Sequence, residues 1–326
     1  MNEIWYPSAA YKAGHAGVLF SIGSFEIRTY SLTLFIGIMA SILTIAIFWA
    51  RQKYKWEHLM SLILITIPTA IIGARLWDLV EEFLYKRDTF DFSRWYAIWE
   101  GGLSIQGGVI LAFLCDFIYV YTKRDQLDIR KCGTIIIPTI LIGQVIGRWG
   151  NYANHELYGK VDWNGSSVLI FGKSFASNMY ISDSVSDAYN QIGLYRYPLF
   201  LYEGLANLVG YLIIVWVIGW FGLLKPGASA GLYFVWYGIV RLAMEPLRET
   251  SYSMYVLASL AFIVGGAIAF IYWQWFSKVH YFVVKRKYYF DYKYAHPEQY
   301  AQMINKTRFF RTKRTKENLT ALTLKG

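Results

Sequence analysis

Between Gly147 and Gly159 the chain reads Gly147-Arg-Trp-Gly-Asn-Tyr-Ala-Asn-His-Glu-Leu-Tyr-Gly159. Arg148 offers a planar fork of donors that fits a phosphate as a lysine does not. Asn151 and Asn154 share a face if the helix continues, and each amide both donates and accepts. Gly147 and Gly150 let a ligand or a neighbouring backbone approach closely. A helix C-terminal cap explains the glycines and one asparagine. It does not explain Arg148, Asn151, Asn154 and Glu156 together, so the stretch reads as an anion site. A second polar run, Tyr237-Gly-Ile-Val-Arg241-Leu-Ala-Met-Glu245-Pro-Leu-Arg248, supplies two more guanidiniums and a carboxylate, Glu245, suited to pair with Arg241 or Arg248.

The elements that must carry these residues are apolar. Of 326 residues 56% are hydrophobic and only 17% charged, which sets the chain apart from ordinary soluble globules. A helix needs about 20 mostly apolar residues to cross a bilayer, and seven stretches qualify: Tyr30 to Ala50, Leu59 to Ala74, Gly101 to Tyr121, Cys132 to Gly147, Leu205 to Leu224, Pro226 to Val240 and Ser251 to Ser277. The fold class expected is an all-α polytopic membrane protein of seven transmembrane helices.

Lys and Arg mark the cytoplasmic side. They gather after the first span (Arg51, Lys53, Lys55), after the third (Lys123, Arg124, Arg130, Lys131) and beyond the seventh. From Lys278 onward there are twelve Lys/Arg against three Asp/Glu, a balance of +9 within a total of +10. The N-terminus is therefore expected outside and the C-terminus inside. Before Tyr30 there is no basic stretch followed by a long apolar run, so no cleavable signal peptide is expected. This topology brings Tyr30, Arg75, the glycine-rich run 100–108 with Gln106, Arg148, Tyr202, Glu203 and Arg241 to the outer ends of their spans. Ionisable groups in spans are costly and usually face a bundle interior or a wet cavity. One arginine alone could snorkel to the headgroups; several at one level read as a cationic pocket for an anionic headgroup.

Other features carry less. Gly227-Ala-Ser-Ala-Gly231 matches a nucleophile-elbow pattern but lies in a short connection between spans, without the strand-to-helix turn that the motif needs. Cys115 and Cys132 are expected to pack, and the five histidines lack ligand spacing, so no metal or cofactor is expected. Asp116 is expected to tie helices together. Asn164-Gly165 reads as a hairpin turn within a small external head at about 151–198. The basic tail, 278–326, fits anionic lipid at a cytoplasmic face better than nucleic acid.

The Gly147 to Gly159 stretch resembles the signature of the prolipoprotein diacylglyceryl transferase family, roughly Gly-Arg-x-Gly-Asn-Phe-x-Asn-x-Glu-x-x-Gly, with Tyr152 where phenylalanine is usual. The run holding Tyr237, Arg241, Glu245 and Arg248 resembles that family's sixth-span motif. Weaker echoes are Gly73-Ala-Arg75-Leu76, the run from Trp99 to Ile105, Pro198 to Glu203, and Tyr30. The resemblance covers about Tyr30 to Ser277, expected as a transferase domain between an external segment, 1–29, and the basic tail. It implies transfer of a diacylglyceryl group from phosphatidylglycerol to the lipobox cysteine of preprolipoproteins, the first step of lipoprotein maturation, in the bacterial cell membrane.

By the same resemblance Arg148, Arg241, Gln106 and Tyr30 are the expected catalytic residues. Arg148, Asn151, Asn154, Glu156, Gly159, Tyr237, Glu245, Arg248 and Arg75 are the expected substrate-binding ones. The chain departs from the family pattern in two further places. Gln106 stands where a histidine assigned as a base is usual, so the arginines are expected to activate the thiol and Gln106 to orient it or the lipid, with help from His155, Glu156 or Tyr30. Tyr197-Pro198 replaces a His-Pro, with Phe200 where Gln is common. The competing class, a transporter or channel for an anionic lipid or solute, is disfavoured because no internal repeat is visible and the polar residues gather at one end of the spans.

Overall fold

The computed structural model describes residues 4–14, 17–22, 25–85, 95–96, 104–249 and 253–307. The chain divides into two compact units. One comprises Met1–Ile45, Gly133–Lys278 and Val283–Tyr292; the other comprises Ala46–Cys132, Val279–Phe282 and Lys293–Gly326.

Six helices among the described residues are long and apolar enough to cross a membrane: α1 (Thr29–Arg51), α2 (Trp56–Tyr85), α3 (Ile105–Thr122), α4 (Ile129–Ala153), α5 (Leu199–Gly219) and, after α6, α7 (Ser253–Phe276). The α6 helix, Ala228–Met244, has 17 residues. At 1.5 Å per residue it is about 26 Å long, short of a hydrocarbon core of roughly 30 Å. It continues into a 3₁₀ turn, Glu245–Leu247. Several boundaries differ from the sequence reading. Helix α2 runs on past Arg75 to Tyr85, and α5 begins at Leu199, which places Glu203 inside it. Helix α3 begins at Ile105, while the expected start near Gly101 lies outside the described residues. Large apolar side chains stay uncovered, Leu64 at 73% and Leu257 at 68% exposure, as suits lipid contact better than water.

In the first unit the helices cross on small residues, the usual device where burial of apolar surface cannot drive association. A Cβ on Gly37 of α1 would sit 3.0 Å from the Gly143 carbonyl of α4, and one on Gly231 of α6 would sit 2.7 Å from the Gly266 carbonyl of α7. Pro138 puts a 3₁₀ turn, Ile137–Thr139, into α4, where Ser41 Oγ reaches the Thr139 carbonyl at 3.0 Å.

Between α4 and α5 lies a small head with a core of Val168, Ala176, Met179, Tyr180, Tyr195 and Phe200. Its sheet runs Tyr11–Lys12 parallel to Tyr180–Ser182, which pairs antiparallel with Leu194–Tyr195. The hairpin expected at Asn164-Gly165 does not form, because Ser166–Leu169 is a helical turn. Gly165 takes φ 61°, and Asp162 Oδ2 accepts from the Ser167 N–H at 2.7 Å and its hydroxyl at 2.6 Å. The same Asn-Gly chemistry that turns a hairpin serves here to start a helix.

In the second unit α2 and α3 approach so closely that a Cβ on Gly107 would lie 2.2 Å from the Gly73 carbonyl. Thr66 Oγ1 donates to Asp116 Oδ2 at 2.7 Å, the interhelical tie expected of Asp116. The start of the tail is folded. Tyr281 donates to Asp128 Oδ2 at 2.7 Å, the Asp128 N–H donates to Tyr54 at 3.3 Å, and the helix Pro297–Lys306 buries Tyr300 and Ile304.

Candidate active site

The last turns of α4, the first turns of α5 and the last turns of α6 meet at a polar centre within the first unit. Glu203 on α5 is 1% exposed and faces two guanidiniums. Arg148 Nη2 of α4 donates to its Oε1, and Arg241 Nη1 of α6 lies 3.7 Å from its Oε2. Just past α6, Arg248 Nε lies 3.6 Å from Glu245 Oε2. Burial first, and then the neighbouring Arg241 and Arg148, push the Arg248 guanidinium below its ordinary value, against the pull of Glu203 and Glu245. Three arginines against the two carboxylates of Glu203 and Glu245 leave a net positive charge among these five groups. Glu203 was not among the expected site residues. Its signal was an acid at the start of an apolar run, beside two arginines expected at the same level.

Around this centre, Asn151 Nδ2 donates to Glu156 Oε1 at 2.8 Å. Tyr30 of α1 lies within electrostatic reach of both Glu156 and Arg148. Gly150 makes that approach possible, since a Cβ there would sit 2.5 Å from Thr33 Oγ1 and 2.7 Å from the Tyr30 ring. Asn154 caps α4, its N–H donating to the Gly150 carbonyl; its buried Oδ1 has no hydrogen-bond partner among the described residues. Tyr237, one turn before Arg241, stacks on Tyr233 at 6.1 Å and meets Phe262 edge-on at 5.5 Å.

Gly159 is packed against backbone. Its N–H donates to the Tyr197 carbonyl at 2.9 Å and it bridges to Arg248, so close that a Cβ would lie 2.7 Å from the Leu247 carbonyl. It therefore joins the head to the segment that carries Arg248. His155 is buried in the head, its ring stacked on Tyr11 at 4.2 Å, with Nδ1 donating to the Asn178 carbonyl at 3.0 Å. Two of the departures from the family pattern touch: Tyr152 stacks on Phe200 with ring centroids 4.6 Å apart.

Arg196, outside the expected site residues, is fully buried in the head. Its Nη2 donates to both oxygens of Asp183, at 2.6 and 2.8 Å, and its Nη1 pairs with Glu249, next to Arg248. Burial pushes the Asp183 carboxyl up, but donation from Ser186 and Tyr158 and the Arg196 charge outweigh it and hold the group below its ordinary value.

Arg75 and Gln106 belong to the second unit. There Arg75 Nη1 pairs with Asp78 at 2.9 Å and Nε donates to the Trp95 carbonyl at 3.1 Å. Gln106 Oε1 accepts from Ser104 Oγ at 2.7 Å. The run Trp99 to Leu103 lies outside the described residues.

Apolar helices that carry clustered, charged side chains at their ends define a multi-pass membrane protein with an arginine-rich polar centre. The chain belongs to the prolipoprotein diacylglyceryl transferase family, whose model matches residues 17–272. It is 49% identical over 275 residues to the phosphatidylglycerol–prolipoprotein diacylglyceryl transferase of Mycoplasmopsis pulmonis, covering 84% of this chain and 83% of that protein. The enzyme of the same name from Mycoplasmoides gallisepticum is 32% identical over 313 residues, covering 83% and 81%. That from Streptococcus uberis is 34% identical over 234 residues, covering 72% and 84%.

Proposed function

We infer that the chain transfers the diacylglyceryl group of phosphatidylglycerol to a preprolipoprotein cysteine. The observation that carries this is Glu203 held between Arg148 and Arg241 at adjoining helix ends, in a chain of this family. The substrate thiolate attacks the glyceryl carbon bonded to the phosphate oxygen. A carbon–sulfur bond forms and the carbon–oxygen bond breaks, its electron pair leaving on glycerol phosphate, so negative charge grows at the phosphate in the transition state. Arg148 and Arg241, already oriented by Glu203, stabilise that charge where water is largely excluded. Arg248 adds to the same field.

The nucleophile comes from the substrate. Its ordinary pKa of about 8.5 leaves little thiolate at neutral pH, and a cationic surrounding raises that fraction. Tyr30 and Glu156, beside Arg148, are the groups in the first unit assigned to guide the thiol proton away, and Gln106 to orient the thiol or lipid by hydrogen bonding. Asn151, Asn154, Tyr237 and Glu245 shape the donor site, to which Arg75 is also assigned. No cofactor enters the balance, since lipid and thiol hold all the atoms exchanged.

Both substrates are lipid-bound. The reading therefore includes seven spans with α6 as the sixth, the head and the polar centre on the outer side of a bacterial cytoplasmic membrane, and the basic tail inside. The acceptor is a signal peptide with a lipobox cysteine. The test is purified protein with phosphatidylglycerol vesicles and a lipobox peptide. A thioether-linked diacylglyceryl peptide and an equal amount of glycerol phosphate are expected, whereas a transporter would move lipid or solute and yield no thioether.

A further inference from the structure

The arginine centre sits on top of a second polar layer that the mechanism above does not use. Gln144 lies one turn before Arg148 on α4, and Asn207 lies one turn after Glu203 on α5. The two helices run antiparallel, so the Arg148–Glu203 rung is followed, about 5.4 Å further along, by a Gln144–Asn207 rung. Asn207 Nδ2 donates to Gln144 Oε1 at 3.3 Å, and Gln144 shares a hydrogen bond with the Tyr233 hydroxyl of α6. Asn207 is fully buried, yet its Oδ1 has no hydrogen-bond partner among the described residues. A buried amide in an apolar span is costly unless satisfied.

Three residues away on each helix, at Gly147 and Gly204, there is space that side chains do not fill. An added Cβ on Gly147 would touch nothing within 4 Å, and one on Gly204 would meet only the Val145 carbonyl, at 4.0 Å. Turning both amides over reverses the chain of donors. Tyr233 then donates to Gln144 Oε1 and Gln144 Nε2 to Asn207 Oδ1, which leaves the Asn207 NH₂ as a spare donor.

We propose that Gln144 and Asn207 form a subsite that binds an ester carbonyl of the donor lipid and so selects diacyl over dialkyl glycerolipids. The proposal rests on the transferase reading and deepens it. With the phosphate on Arg148 and Arg241, the ester groups follow a few bonds along the glyceryl carbons, deeper in the span. That is the direction and about the distance of the second rung. The diacylglyceryl part of the lipid carries carbonyl acceptors and no donors, and the turned-over amide meets it with a donor. Asn207 acts here as a positioning residue.

The experiment uses the full-length protein with a lipobox peptide and, in turn, phosphatidylglycerol and its ether-linked dialkyl analogue of matched chain length. The ester-to-ether ratio of kcat/KM is read within each variant, so a general loss of folded protein cancels, and any intrinsic electronic difference between the lipids is common to all variants. Wild type is expected to prefer the ester lipid by about 3- to 10-fold, the factor of one neutral hydrogen bond. Asn207→Leu, and independently Gln144→Met, are expected to bring the ratio close to one with peptide KM unchanged. An unchanged ratio in both variants overturns the subsite, as does a rise in peptide KM alone, which would move the orphan amide to the acceptor peptide. No thioether from wild type with either lipid would instead take down the transferase reading itself.

Discussion

Glu203 carries more of the site than either arginine alone, because it is the carboxylate that holds both. Removing one partner of a buried ion pair leaves an uncompensated charge and typically costs about 3–5 kcal/mol. Glu203→Leu is therefore expected to lower the unfolding temperature sharply in detergent, and Glu203→Leu with Arg148→Met to recover part of the loss. A double variant no more stable than the single one would refute this pairing. The two arginine motifs were legible in the sequence because charge inside a span is conspicuous. Their common partner was not, since pairing across α4, α5 and α6 is non-local and an acid near a helix start is unremarkable by itself. At Gly159 the motif does not reveal a packing demand that the fold adds, since a Cβ there would crowd the Leu247 carbonyl.

At the scale of elements, the head holds the exit of α6 in place. Lys160 donates to the Leu247 carbonyl at 2.8 Å, and Arg196 links Asp183 to Glu249. Asp183 is held below its ordinary value near 3.8. Its contribution to stability is thus complete above the unfolded carboxyl value and is lost as pH falls through the lower folded one. Melting temperature measured from pH 6 down to 3 should decline below about pH 4. Asp183→Asn should start lower at pH 6 and fall less steeply; equal slopes would exclude Asp183 as a source of acid sensitivity. The long apolar helices were legible because length and lack of charge suffice. The head was not, because its elements are short and Asn164-Gly165 fits a hairpin and a helix start equally well.

For the whole molecule, the piling of Lys and Arg on one set of loops is the argument for orientation. In intact cells, a cysteine at Asn190 in the head should react with a membrane-impermeant thiol reagent, and one at Lys123 should react only after permeabilisation. The reverse pattern would invert the topology. The folded start of the tail, with Tyr281 on Asp128, lay beyond what charge counting reveals, because an aromatic buried by a distant loop leaves no local periodicity. The central claim is that Arg148 and Arg241 act on the donor phosphate in the transition state. The direct measurement is thioether formation from phosphatidylglycerol and a lipobox peptide by wild type, Arg148→Gln and Arg241→Gln, each checked for folding by its melting curve. The expected result is a loss of about 10²–10³-fold in kcat for each variant, and folded variants that turn over at the wild-type rate would contradict it.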